Sequence, residues 1–261
     1  ASMLNNRAYI RGQLGDLPAS EALYREAIMA KRSLLGPDHP GLVRNLNNLT
    51  STLMSQEKYA AADSVLAEAF TISEAALPDA HPDVGISLAH RGRLRAAQGR
   101  AAEAGRDFLA SIDVRRDVYE APHHRIASSL HGLAQALSDQ GRHAEAEATQ
   151  REGLAMSRAL EREADIARDL RSLGDILTAA GQHAAAEPVL RDALARHVEL
   201  FEAVHREVAL TQVSLARALI GQARTDDAEA LLTAAWPTLA ASAGPRTPLR
   251  DALALLADLR E

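Results

Sequence analysis

Histidine recurs in this chain at a fixed interval. His39-Pro40 and His81-Pro82 stand 42 residues apart, and His123 follows after another 42. Self-similarity at that period is the mark of one supersecondary unit copied along a chain. A turn column extends the register through Gly15, Glu57, Gly99, Gly141, Gly181 and Ala223, at spacings of 42, 42, 42, 40 and 42. Six units therefore fit, at about 1–37, 38–79, 80–121, 122–161, 162–203 and 204–245. Thr247-Pro248 falls where His205-Arg206 predicts the next start, so a closing helix is expected over 248–260.

Two more columns hold only small residues. One is Ser20, Ala62, Ala104, Ala146, Ala186 and Ala228; the other is Ala27, Ala69, Ser111, Gly153, Ala193 and Ala235. A third, Ala8, Thr50, Gly92, Ala134, Gly174 and Ala216, is nearly as restricted. Small side chains once per unit imply close backbone approach, as where two helices cross. Between the columns, apolar residues keep helical spacing, as in Leu130, Leu133 and Leu137 before Gly141, and Ala146, Leu154 and Met156 after it. Each unit thus reads as helix, tight turn, helix. Composition agrees, because the 47% hydrophobic content is mostly Ala and Leu with only 3% aromatic residues, a balance favouring helix over strand. The linker Gly36-Pro37-Asp38-His39-Pro40 supplies a left-handed cap, a breaker, a capping side chain and a proline suited to a first helical turn.

With these columns in place the sequence resembles the tetratricopeptide repeat family over essentially its whole length. The 42-residue period, the Gly-Pro-Asp-His-Pro linker and Leu46-Asn47-Asn48-Leu49 resemble the longer-helix subclass found in kinesin light chains and many bacterial multidomain proteins. The resemblance implies an all-α, right-handed superhelical solenoid of antiparallel helix pairs, with the first helix of each unit lining a concave surface. Departures are Glu57 and Ala223 in the turn column and a fourth linker two residues short. Arg7, Arg11, Arg91 and Arg95 stand where apolar residues are usual, so local irregularity is expected in the first and third units.

In the family arrangement, residues a few positions before each turn on the first helix face the groove. The candidate peptide-binding set is Asn5, Asn6, Tyr9, Arg44, Asn47, Asn48, Ser51, His90, Arg93, His131, Gln135, Arg168, Arg171, Asp175 and Arg217. It is polar and leans basic, although the protein as a whole is acidic. Paired asparagines can donate and accept along an extended backbone, and arginines add selectivity for carboxylates. The expected function is a protein- or peptide-binding interaction module, with extended acidic segments as ligands. The alternative is a peptide-sensing regulatory domain of a larger bacterial signalling protein. The dicarboxylate clamp of some chaperone-binding relatives is not expected: Asn48 fits it, but Ile86 and His90 occupy the places of its two basic groups.

Other functions find little support. A net charge of -6 argues against a nucleic-acid partner. No apolar run approaches the roughly 20 residues needed to cross a bilayer, and the N-terminus carries no signal pattern, so a membrane is not expected and the cytoplasm is. Zero cysteine removes thiolate ligands and a Cys nucleophile. His39, His81, His123 and His205 recur at linkers, which suits capping or packing rather than metal ligation, and no metal or cofactor is expected. There is no phosphate loop, His-Glu-x-x-His or Gly-x-Ser-x-Gly pattern to nominate an enzyme. Trp236, Phe70, Phe108 and Tyr24 read as packing residues, and Tyr9 as the one aromatic facing the groove. The chain starts inside a unit, at Ala1-Ser2-Met3, and so reads as part of a longer protein. Oligomeric state is left open.

Overall fold

A computed structural model gives the fold. It describes residues 2–202, 204–241, and 250, 252, 254, 255 and 257. Twelve α-helices follow one another without a strand among the described residues. They form six antiparallel pairs: α1 (Ser2–Gln13) with α2 (Leu17–Leu35), α3 (Val43–Ser55) with α4 (Tyr59–Ala76), α5 (Pro82–Ala97) with α6 (Ala101–Val118), α7 (His124–Asp139) with α8 (His143–Ala159), α9 (Glu163–Ala179) with α10 (His183–Leu200), and α11 (Arg206–Ile220) with α12 (Thr225–Ala241). The fold is an all-α repeat solenoid, parted into two compact units, 1–120 and 121–261.

The turn column closes every pair in the same way. Gly15, Glu57, Gly99, Gly141, Gly181 and Ala223 all take a left-handed conformation, with φ from 58° to 79°. The next residue's N–H then donates to a carbonyl five positions back, as from Arg142 to Leu137 at 3.0 Å and from Arg224 to Leu219 at 2.9 Å. This satisfies helix-end carbonyls that would otherwise lack partners. Glu57 and Ala223 keep the geometry without glycine's freedom. The short fourth linker is explained by the same device: Glu161 has φ 52°, and Arg162 N–H donates to Ser157 O. Two residues are missing there because a tight turn replaces an extended linker.

At the four longer linkers the capping side chain is the histidine, and in the first of them it is not the preceding Asp38. His39, His81, His123 and His205 each accept at Nδ1 from the N–H two residues on, at 3.0–3.2 Å. A short 3₁₀ turn, Pro40–Leu42, separates the first of these caps from α3.

All eighteen residues of the three small columns are buried. Ser20, Ala62, Ala104, Ala146, Ala186 and Ala228 are each at 0% exposure. Where the small residue is serine, its hydroxyl reaches the facing first helix: Ser20 Oγ donates to Ala8 O at 2.8 Å and Ser111 Oγ to Gly85 O at 2.7 Å. At Gly174 an added methyl would overlap the Leu190 side chain, and at Gly92 it would press on the Phe108 ring at 3.1 Å.

The irregularity expected around the arginines is not found. Helices α1, α2, α5 and α6 are uninterrupted. Arg91 and Arg95 clamp the buried carboxylate of Asp107 at 2.8 and 2.7 Å, and Arg91 also lies over the Phe70 ring at 4.2 Å. A paired and hydrogen-bonded charge can occupy a helix crossing that an isolated one could not. Arg7 and Arg11 remain exposed on α1. Most of the expected helix 248–260, with its Thr247-Pro248 start, lies outside the described residues. Ala252 and Leu255, which are described, pack with the core of α9–α12.

Candidate functional site

Within unit 1–120, α1 packs on α3 and α3 on α5; within unit 121–261, α7 packs on α9 and α9 on α11. Second helices do not approach one another backbone to backbone among the described residues. Long side chains bridge them instead, as Arg32 does to Glu68. First helices are thus the crowded side of each unit and second helices the splayed side, so each unit bends toward its first helices.

The candidate residues divide by what covers them. Tyr9, Ser51, Arg93 and Gln135 are exposed on this face, and Tyr9 is 59% accessible. Asn47 is buried: its Nδ2 donates to Asp83 O at 3.2 Å and its Oδ1 accepts from Ser87 at 3.0 Å. That amide ties α3 to α5, and its hydrogen-bonding groups are spent inside the fold. His90 is also buried. Asn5 accepts at Oδ1 from both Asn45 and Asn48, at 3.1 and 3.2 Å, and Asn6 lies exposed beside it.

The arginines are less committed to ligand than their charge suggests. Arg44 lies 3.5 Å from Asp83, Arg168 pairs with Asp165 at 2.8 Å, and Arg171 reaches Glu207 at 3.2 Å. His131 lies 3.7 Å from Asp169, a fully buried carboxylate to which Ser157 donates at 2.6 Å. Burial pushes the Asp169 carboxyl up, against the hydrogen bond from Ser157. Asp175 is likewise raised by burial, opposed by a hydrogen bond from Ser214 and by the charges of Arg171 and Arg217.

Three hollows open on first helices. One of 180 Å³ is lined by Tyr9, Tyr24, Asn48, Ser51, Thr52 and Ser55 among others. A second, of 230 Å³, lies between the start of α1, the end of α2 and the start of α3. The third, of 340 Å³, belongs to the other unit and collects Gln135, Ser138, Asp139, Asp175, Thr178 and Arg217.

Sequence reasoning missed a polar seam between successive units. Lys31 donates to Asn45 at 3.0 Å, Ser157 to Asp169 at 2.6 Å, and His197 Nδ1 lies 2.9 Å from Thr211 Oγ1. In repeat register these are one position on the second helix and one on the next first helix. The side-chain types differ from unit to unit, so only the shared burial and register could have marked them.

The tetratricopeptide repeat model matches residues 1–75 and 83–159, more than half the chain, and a second model of the same repeat matches 170–207. The chain belongs to the tetratricopeptide repeat family. No curated relative matches in sequence. Among solved structures, a kinesin-light-chain-type protein of Podosopora anserina with nearly identical TPR-like repeats is 22% identical, with a TM-score of 0.63 over 77% of this chain and 97% of that one. BtubC (BKLC) from P. vanneervenii is 18% identical at TM-score 0.68, over 86% and 91%. NprR in complex with its cognate peptide NprX is 14% identical at TM-score 0.71, over 99% and 72%. These structures share the fold. The fold is that of a protein or peptide interaction scaffold. No helix among the described residues is long and apolar enough to cross a membrane.

Proposed function

We propose that the chain binds an extended peptide segment on the first-helix faces of its units. The observation that carries this is the density of exposed or half-exposed donors and acceptors there, opening into hollows floored by hydroxyl and amide groups. Asn48, Ser51 and Tyr9 in one unit, and Gln135, Asp175 and Arg217 in the other, suit a peptide backbone's alternating N–H and C=O groups. Arg44, Arg93 and Arg217 bias the ligand toward acidic side chains, while the net charge of -6 disfavours a polyphosphate. A cytoplasmic partner fits this reading. The test is capture of binding partners by the whole chain and by Asn48→Ala/Arg93→Ala. The doubly substituted chain should lose its partners while keeping its helical signal; equal capture by both sinks the assignment.

The likeness to NprR bound to NprX favours a second reading, in which a small peptide regulates a larger protein by altering the solenoid. Solution scattering with and without bound peptide separates the two: a sensor changes dimensions on binding, and a scaffold does not.

A further inference from the structure

We propose that the hollow between the start of α1, the end of α2 and the start of α3 is a carboxylate subsite for the bound peptide. This rests on the peptide-binding reading above and names the chemistry one part of that face selects. The 230 Å³ hollow is lined by Lys31, Arg44, three asparagines and Ser2, with no carboxylate among its lining residues.

Hydrogen bonds fix which way Lys31, Asn45 and Asn5 point. An ammonium only donates, so Asn45 must turn its Oδ1 toward Lys31, at 3.0 Å. Its Nδ2 therefore donates, and it does so to Asn5 Oδ1 at 3.1 Å, which Asn48 Nδ2 also meets at 3.2 Å. With that oxygen doubly engaged, the Asn5 Nδ2 donor is left for the hollow it lines. Lys31 spends two of its three N–H groups, on Asn45 and on Gly41 O at 2.6 Å. Its third has no partner among the described residues. Arg44 is 69% exposed, and its one ion pair among the described residues, Nε to Asp83 at 3.5 Å, leaves the rest of the fork to solvent. Lys31, Arg44 and Asn5 thus offer donors to a hollow that no carboxylate lines.

Charge points the same way. Lys31, Arg44 and Asp83 together leave one positive charge uncompensated, and Asp83 does not line the hollow. Burial, followed by the nearby Arg44 charge, lowers the Lys31 pKa, with Asp83 opposing. An entering carboxylate would offset the repulsion between the two cations, as Asp83 does in part. A charge-assisted hydrogen bond of this kind is worth more than a neutral one.

The experiment is selection of peptides from a displayed random library on the whole chain, followed by affinity measurement on the resynthesised winners. Wild type should enrich Asp- or Glu-containing peptides, and changing the key acid to its amide should weaken binding about tenfold or more. Lys31→Met/Arg44→Gln should weaken the acidic peptide to a similar degree without weakening its amide counterpart, with thermal unfolding followed as a control on folding. Amidating the peptide C-terminus tells a side-chain carboxylate from a terminal one, and displacement by inorganic phosphate would show that any oxyanion suffices. Winners without acidic residues, or equal binding by the Lys31→Met/Arg44→Gln chain, overturn the subsite. If those winners still depend on Asn48, the broader peptide reading survives; if no peptide is enriched, both fail.

Discussion

At the scale of single residues, the repeat is written in what cannot grow and what must bend. Gly174 is fully enclosed, and a methyl there collides with Leu190, itself at 0% exposure and without room to move. Gly174→Ala should therefore cost about 1–3 kcal/mol through overpacking. The reverse holds where a side chain sits in a conformation that suits glycine. Glu57 and Ala223 are exposed, at φ 58° and 59°, in the turns that glycine closes elsewhere. Relief of that strain, less the entropy glycine returns to the unfolded chain, should let Glu57→Gly or Ala223→Gly gain about 0.5–1 kcal/mol. Urea unfolding of the three variants checks both signs, and a neutral Gly174→Ala would mean the helices can part at that crossing. These positions were legible in the sequence because size and backbone freedom restrict residue type. The capacity of Asn47 to bind was not, since its face is shared with Asn48, and only the neighbouring helix decides that Asn47 is covered.

At the scale of elements, the seam that joins each unit to the next through Lys31–Asn45, Ser157–Asp169 and His197–Thr211 is built of groups whose types do not repeat, which is why the sequence hid it, whereas the links made at the turns do repeat. Gln56 and Lys58 reach back to Glu21, and Gln222 and Arg224 reach back to Glu187. Hydrogen bonds from Arg191 and then Arg224 hold the Glu187 carboxyl at about 2. The seam between α10 and α11 has a different pH signature. Thr211 spends its hydroxyl hydrogen on Glu207 O at 2.8 Å, so it accepts from His197, whose Nδ1 carries the proton in a neutral ring. The ring is 1% exposed, and Arg171 and His205 face it as cations or potential cations against Glu207. Burial and then the Arg171 charge push its pKa below the ordinary 6.5. The unfolded chain therefore takes up a proton that the folded chain resists. The contribution of His197 is complete above about pH 6.5 and is lost as pH falls from there toward the folded pKa. Between about pH 7.5 and 5.5 the wild type should lose more stability than His197→Gln, by up to about 1.4 kcal/mol per pH unit inside the window. Parallel urea midpoints for the two chains would discard this account of the junction.

At the scale of the whole molecule, stability in a repeat array is close to a sum over units and their junctions. Each compact unit encloses its own core. In 1–120 it runs from Ala8 through Leu42, Leu46, Leu53 and Leu66 to Leu94, and in 121–261 from Leu154 through Leu173, Leu190 and Leu215 to Leu239. Three helix pairs are enough for stacking to bury a shared face. Polypeptides spanning 1–120 and 121–261 should thus each fold alone and melt cooperatively with strong helical signal. Their stabilities should differ, because the third pair of 1–120 fills its crossing with Asp107, Arg91, Arg95 and the buried Arg115. In 121–261 the positions that match Arg91, Arg95 and Asp107 hold Leu173, Leu177 and Val189 in one pair and Leu215, Leu219 and Leu231 in the next. Buried ion pairs repay their desolvation less fully than well-packed aliphatic groups, so 121–261 should unfold at the higher urea concentration. Circular dichroism on the two fragments decides it: a disordered 121–261, or one that unfolds before 1–120, would place the stability of the array somewhere other than in the cores of its units.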